Sequence, residues 1–164
     1  MNNIFIISTG GTFNKIYNRI NGNLEIDLNN SALKSLEQNW LTKLNYKNII
    51  NKDSLDFTQK DRETLYSEIK NCKYNKIIVI HGTDTIDISA KYIFDKQIDK
   101  TIIFTGAMVP FSINPIEATA NLTLALGYAK LAKNGVYISL NGIVDRFDNI
   151  IKNRKLGKFE YKDK

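Results

Sequence analysis

Two short turns carry the hydroxyl and carboxyl groups with which this chain could do chemistry. Residues 9–12 read TGGT after one apolar run, and residues 81–85 read HGTDT after another. A threonine hydroxyl attacks a carbonyl group only when a nearby base takes its proton. Asp84 lies next to Thr83 in the sequence and could orient such a base, for which a lysine is suited. These residue types therefore favour nucleophilic attack on a carbonyl by Thr12 or Thr83.

The backbone of the same turns could assist that attack. The N–H groups of Gly11, Thr12 and Thr83 would stabilise a developing oxyanion if they point into one pocket. A simpler interpretation assigns no chemistry to either turn. Paired glycines are common in plain connections, and Thr83 and Asp84 are preferred helix caps. The residue types and their spacing leave both interpretations open.

The elements that must position these turns alternate between strand and helix. Apolar runs predict strands over residues 3–8, 46–50, 75–80, 101–104 and 136–140, and helical patterns begin near residues 58, 85 and 114. This order is typical of an α/β fold with an open, mostly parallel, doubly wound sheet. Right-handed crossovers bring the carboxyl ends of such strands to one edge. Residues 9–12, 53–56, 81–85 and 106–108 should therefore converge.

Two helix starts have clear local signals. Thr58 and Asp61 have the spacing of a reciprocal cap, and Asn114 followed by Pro115 and Glu117 is a strong N-terminal signature. The second helix should run to about residue 133, where Asn-Gly ends it.

The segment between the first turn and the next strand has two interpretations. Residues 13–23 are polar, with Tyr17 near their centre and an Asn-Gly turn signal at their end. They form either a mobile loop over a site or a short hairpin that leads into an edge strand at residues 24–28. Residues 31–39 have weak helical patterning.

Length and composition limit the class of protein. The 164 residues predict one domain over residues 1–151, followed by a basic tail at 152–164 that we expect to be solvated. That tail concentrates the net charge of +6, and no nucleic-acid-binding motif accompanies it. The apolar runs are too short to cross a membrane, and no signal-peptide pattern is seen. One cysteine and one histidine give no disulfide or multi-cysteine metal site, so we expect a cytoplasmic protein without cofactor or metal.

The two turns together resemble the bacterial-type L-asparaginase/glutaminase family. The segment Gly106-Ala107-Met108, with Pro110, is similar to a further family motif, although Val109 stands where arginine is usual. The resemblance covers essentially the whole chain but only the N-terminal domain of that family. Full-length members are about twice as long, and their smaller C-terminal domain closes the active site of a neighbouring subunit.

The resemblance implies an amidohydrolase that acts on asparagine or a related small amide and forms a homo-oligomer, such as a dimer. By position, Thr12 resembles the nucleophile. The other implied catalytic residues are Thr83, Asp84, Lys152 and Tyr17, and the implied substrate contacts are Gly11, Asp53, Ser54, Gly82, Thr83, Asp84 and Ala107. Leu55 stands where members active on asparagine usually carry glutamine. Losing that hydrogen bond to a charged group would weaken binding by about 10- to 100-fold.

Two other functions stay open at this point. The chain could be a catalytically inactive member of the family that binds aspartate or asparagine in the same pocket. A nucleotide-binding module is the third interpretation, but the sequence lacks Gly-x-Gly-x-x-Gly and the Gly-Lys-Ser/Thr ending of a P-loop.

Overall fold

A six-stranded sheet forms the centre of the protein in a computed structural model that describes residues 3–163. The strand order is β4-β1-β5-β6-β7-β8, and only β8 runs antiparallel to its neighbour. The strands of this sheet are β1 (Ile4–Gly10), β4 (Tyr46–Lys52), β5 (Lys76–Ile80), β6 (Thr101–Thr105), β7 (Gly135–Leu140) and β8 (Ile143–Arg146). The prediction of a mostly parallel α/β sheet is confirmed.

Helices cover both faces of the sheet because its strands are apolar on both sides. They are α1 (Ser31–Asn39), α2 (Gln59–Asn71), α3 (Ile86–Asp95) and α4 (Pro115–Leu131). Successive residues of one strand enter different cores: Ile6 packs in the core that contains Leu33 and Leu122, whereas Ile7 packs in the core that contains Leu65 and Ile93. Within residues 3–163, no helix is long and apolar enough to span a bilayer.

The register of the parallel strands levels their carboxyl ends. Ser8 pairs with Ile80, Ile80 with Thr105, and Thr105 with Ser139 across four neighbouring strands. The turns that follow β1, β5 and β6 therefore leave the sheet at one edge. This edge is the usual ligand-binding side of an open α/β sheet.

Local signals account for the starts of α2 and α4. The Thr58 hydroxyl accepts from the Asp61 N–H at 3.3 Å, while the Asp61 carboxylate accepts from the Thr58 N–H at 2.8 Å. The Asn114 side chain accepts from the Ile116 N–H at 3.1 Å, with Pro115 in the first helical position. Both predicted caps are present.

A short hairpin occupies the segment between the first turn and α1. It pairs β2 (Lys15–Tyr17) with β3 (Leu24–Ile26), so the hairpin interpretation of residues 13–23 is correct. A 3₁₀ turn at Thr12–Asn14 connects β1 to it.

The chain after β7 differs from the expectation of a last strand followed by a solvated tail. Asn141 and Gly142 both have positive φ, 51° and 79°, and turn the chain back into β8. A second hairpin then pairs β9 (Ile150–Asn153) with β10 (Lys158–Tyr161). Phe159 is only 4% exposed, so burial of its ring holds this segment on the domain. Lys152, Arg154, Lys155 and Lys158 are thus part of a folded hairpin.

Candidate active site

The turns at the carboxyl edge of the sheet converge into close contact. A Cβ built on Gly11 would lie 2.6 Å from the Gly82 backbone, and one built on Gly82 would lie 2.6 Å from the Ser54 hydroxyl oxygen. Backbones approach this closely only where neither residue has a side chain. Three of the turns singled out by sequence therefore meet at one point.

Thr83, Asp84 and Lys152 form the centre of this site. Lys152 Nζ lies 2.8 Å from Thr83 Oγ1 and 2.8 Å from Asp84 Oδ1. The Thr83 hydroxyl in turn lies 3.2 Å from Met108 Sδ, to which it donates. A hydroxyl, an amine and a carboxylate are thus joined in one hydrogen-bonded set, as activation of a threonine requires.

The β9–β10 hairpin positions the lysine. Lys152 on β9 is paired with Phe159 on β10, whose ring is buried and whose N–H donates to Asn141 Oδ1 at 2.8 Å. The buried Asn121 side chain accepts from the Asn141 N–H at 2.9 Å and donates to Gly106 O at 3.0 Å. These bonds tie the hairpin to the turn after β6, which fixes where Lys152 reaches.

Ser54 lies between the turns and is 1% exposed. Its hydroxyl oxygen accepts from the Asp84 N–H at 3.3 Å, and its carbonyl accepts from the Thr85 hydroxyl at 2.7 Å. The Ser54 hydroxyl hydrogen is therefore left for another acceptor. The neighbouring Leu55 is 70% exposed, and its N–H donates to Asp53 Oδ1.

The first turn uses one of the expected oxyanion donors for structure. The Gly11 N–H donates to Lys52 O at 3.0 Å, so the expectation that it stabilises an oxyanion is wrong. Within residues 3–163, the N–H groups of Thr12 and Thr83 donate to no backbone carbonyl in another element or loop. The missing side chain of Gly11 instead lets the first turn pack directly against the backbone of Gly82. Thr12 directly follows Gly11 and is partly buried.

Tyr17 and Asp53 lie on two other segments: Tyr17 ends β2, and Asp53 directly follows β4. Tyr17 is 56% exposed on β2, and its hydroxyl is 3.8 Å from where a Cβ on Gly22 would be, toward the end of the hairpin. Asp53 accepts from Lys15 Nζ at 2.7 Å. The structure thus brings Asp53 and Lys15 together, while the Tyr17 ring is largely exposed to solvent.

The turn after β6 contributes a sulfur atom and a buried backbone. The Ala107 side chain is fully buried in the core on the α4 side, so only its backbone could meet a substrate. The Glu117 carboxylate accepts from the N–H groups of Met108, at 3.0 and 3.1 Å, and of Val109, at 3.0 Å. This carboxylate at the start of α4 fixes the turn that carries the methionine.

Two titratable groups are shifted by this environment. The hydrogen bond from Lys152 is the largest cause that lowers the pKa of Asp84, with Arg154 adding to it, so Asp84 is a carboxylate at neutral pH. Burial lowers the pKa of His81 to about 4. The His81 ring centre lies 4.5 Å from that of Phe57, with the two rings tilted by 58°, and His81 Nδ1 lies 2.8 Å from Gly82 O. A neutral His81 therefore donates to the peptide that precedes Thr83.

Arg154 is a site residue that sequence reasoning missed. Its guanidinium donates to Asp84 Oδ1 at 3.1 Å and to Asp84 O at 2.8 Å. Arg154 lies in the turn between β9 and β10, directly after the strand that carries Lys152. A basic residue in a segment expected to be solvated carries no local signal of this contact.

Two hollows of the described residues lie away from this site, and one of them, of about 510 Å³, is lined by residues such as Asp87 and Ile151. The other, of about 540 Å³, lies beside α1 and the start of β4, lined by residues such as Lys34 and Tyr46. Among residues 3–163, no group of three His, Cys, Asp or Glu side chains is placed to hold a metal ion.

The fold and the site define a class: an open α/β domain in which a strand-end turn and the β9–β10 hairpin bring a threonine, an aspartate and a lysine together. The family model described as "Asparaginase, N-terminal" matches residues 3–158. The chain therefore belongs to the asparaginase family, which confirms the resemblance seen in the two turns.

Similar proteins agree with that membership. The L-asparaginase of Thermococcus kodakarensis is 23% identical over 141 residues, which span 83% of this chain and 43% of that protein. The solved structure of the thermostable L-asparaginase from the same organism matches with a TM-score of 0.82 and 21% identity, over 96% of this chain and 50% of that one. A probable cytoplasmic L-asparaginase from Campylobacter jejuni gives 0.80 and 25% identity, over 96% and 52%. The chain thus spans about half the length of these relatives.

Proposed function

We propose that this chain is an asparaginase-type amidohydrolase that hydrolyses the side-chain amide of asparagine or a related small amide. The observation that carries the proposal is the position of Lys152 Nζ, 2.8 Å from both Thr83 Oγ1 and Asp84 Oδ1. A binding module has no need of an amine held against a hydroxyl by a carboxylate. An enzyme that must move a proton between a hydroxyl and a leaving group does.

Thr12 is proposed as the nucleophile, because the preceding Gly11 packs directly against Gly82, the residue before Thr83. Attack of its hydroxyl oxygen on the amide carbon forms a C–O bond and releases a proton to the set of Thr83, Lys152 and Asp84. That set passes the proton to the amide nitrogen, the C–N bond breaks, and ammonia leaves. Water then hydrolyses the ester by the same proton route and regenerates the hydroxyl.

The remaining groups have proposed roles in holding the substrate. The free Ser54 hydroxyl hydrogen suits a carboxylate, and the N–H groups of Thr12 and Thr83 suit the developing oxyanion. Asp53 is proposed to help bind the substrate while it stays paired with Lys15. Tyr17 is proposed to assist the reaction after the β2–β3 hairpin closes over the bound substrate. A homodimer remains a prediction.

Ammonia release from asparagine and glutamine by the wild type and by Thr83→Ala tests the proposal. We expect the variant to lose about 10²- to 10⁴-fold in turnover, the usual contribution of acid–base catalysis. Thr64→Ala is the matched control, since its hydroxyl bonds only to the Lys60 carbonyl on the exposed face of α2. It should keep wild-type turnover.

A different outcome would support the binding alternative. If the wild type releases ammonia from no amide, while aspartate raises its melting temperature, the site binds without catalysis and the proposal is wrong.

A further inference from the structure

The two carboxylates that flank the site hydroxyls are already paired with cations. Asp53, next to Ser54, is 2.7 Å from Lys15 Nζ. Asp84, next to Thr83, is 2.8 Å from Lys152 Nζ and 3.1 Å from an Arg154 nitrogen. A cationic group on a ligand therefore meets no carboxylate here that lacks a protein partner.

Arg154 is the second cation on Asp84. With Lys152 alone, the carboxylate would have one paired cation, so Arg154 further weakens the attraction of Asp84 for a ligand cation. The guanidinium binds Asp84 at two points, its side-chain oxygen and its main-chain carbonyl. These contacts hold it over the same carboxylate oxygen that Lys152 uses. A substrate ammonium that approached Asp84 would find Oδ1 held by two cations, and at Oδ2 it would be repelled by their positive charges.

The ion pairs that contain Asp53 and Asp84 carry one more positive than negative charge. Three cations, Lys15, Lys152 and Arg154, face two carboxylates, Asp53 and Asp84. The third nearby carboxylate, Glu117, uses both oxygens for the N–H groups of the turn after β6. A ligand with a carboxylate and no ammonium complements this set better than a zwitterion does.

We propose that Arg154 is a specificity-determining residue that makes the site prefer the monoamide of a dicarboxylic acid without an α-ammonium group over asparagine. This inference rests on the proposed hydrolysis and names its substrate class. Succinamate is the simplest such compound, since it differs from asparagine only by the missing ammonium. Its hydrolysis breaks the same C–N bond, consumes one water and yields succinate and ammonia.

The test compares kcat/KM for succinamate and for asparagine in the wild type and in Arg154→Gln. We expect the wild type to favour succinamate by at least about tenfold, the effect of one unpartnered charged group. Arg154→Gln should narrow that ratio by about fivefold, as expected for a partly exposed ion pair. Both substrates carry the carboxylate, so the ratio isolates the ammonium.

Arg146→Gln is the matched control. It removes the same charge from a side chain that pairs with Asp148, on a strand position opposite Tyr137 and away from the carboxyl edge. The ratio should stay at its wild-type value in this variant.

Other results would overturn the inference. If asparagine is the better substrate of the wild type, or if Arg154→Gln leaves the ratio unchanged, the inference is wrong while the proposed hydrolysis stands. If neither amide is hydrolysed, the proposed function fails. The rise in melting temperature with succinate, compared with that with aspartate, then tests whether the site prefers a ligand without an ammonium group. Stabilisation by succinate alone, reduced in Arg154→Gln, supports that preference, and equal stabilisation by both rejects it.

Discussion

The corner of the sheet that holds Thr83, Asp84 and Lys152, here called the reactive corner, contrasts with the β2–β3 hairpin beside it. In the reactive corner, a lysine with a side chain 12% exposed bonds to two partners that are 69 and 68 residues away in sequence. In the hairpin, the tyrosine proposed to assist catalysis is 56% exposed. One region is assembled before substrate arrives, and the other presents its groups to solvent.

This difference separates two requirements of catalysis. Proton transfer depends on groups already at hydrogen-bond distance, and strand ends and a core-anchored hairpin hold such groups rigidly. Covering a substrate requires a segment that can change position. The reactive corner meets the first requirement, and the hairpin is suited to the second.

The largest expected effect on stability comes from adding a side chain at Gly11, where the first turn packs against the turn that carries Thr83 and Asp84. Gly11 and Gly22 both have φ of 75°, but a Cβ on Gly11 would meet the Gly82 backbone, whereas one on Gly22 would meet only the Tyr17 hydroxyl at 3.8 Å. Gly11→Ala should lower the free energy of unfolding by about 2–5 kcal/mol, from backbone strain plus overpacking. Gly22→Ala, with strain alone, should lower it by about 1–2 kcal/mol. Urea unfolding measures both, and equal losses would contradict the contrast.

A smaller effect on stability should follow from the titration of His81, which precedes Gly82 and Thr83 in the same turn. Its pKa of about 4 lies below the ordinary value of 6.5, so the unfolded chain binds more protons between these values. Stability is therefore complete above about pH 6.5 and falls as the pH drops toward 4, by up to about 3 kcal/mol.

The measurement is urea unfolding between pH 7 and pH 4.5 for the wild type and for His81→Asn. His81 is the single histidine of the sequence, so the variant removes all histidine titration. The free energy of unfolding should change less with pH in this range in the variant than in the wild type. An unchanged slope would show that buried His81 does not set it.

Much of the fold is predictable because its signals are local. The pairing of Thr58 with Asp61 and the order Asn114-Pro115 place helix starts from a few neighbouring residues. The alternation of strands and helices then predicts which turns share an edge. Asn141-Gly142 is an equally local hairpin signal, and it turns the chain into β8.

The site is less predictable because its geometry depends on contacts between distant segments. No pattern within residues 150–161 shows that Phe159 is buried and that Lys152 therefore reaches Thr83. The position of Lys152 was implied by family resemblance alone. The Gly11 N–H is a similar case, since the sequence does not reveal that Lys52 O accepts from it.

The most direct test of the central claim compares two lysines, one in each region. Lys152 and Lys15 have side chains 12% and 22% exposed, and each pairs with an aspartate beside the site, at 2.8 and 2.7 Å. Lys152→Met should lower kcat for amide hydrolysis by about 10²- to 10⁴-fold, because the proton route is lost. Lys15→Met should change kcat by less than about tenfold, because it removes only an ion pair. Equal losses in the two variants, or wild-type kcat in Lys152→Met, would contradict the assignment of the reactive corner as the catalytic centre.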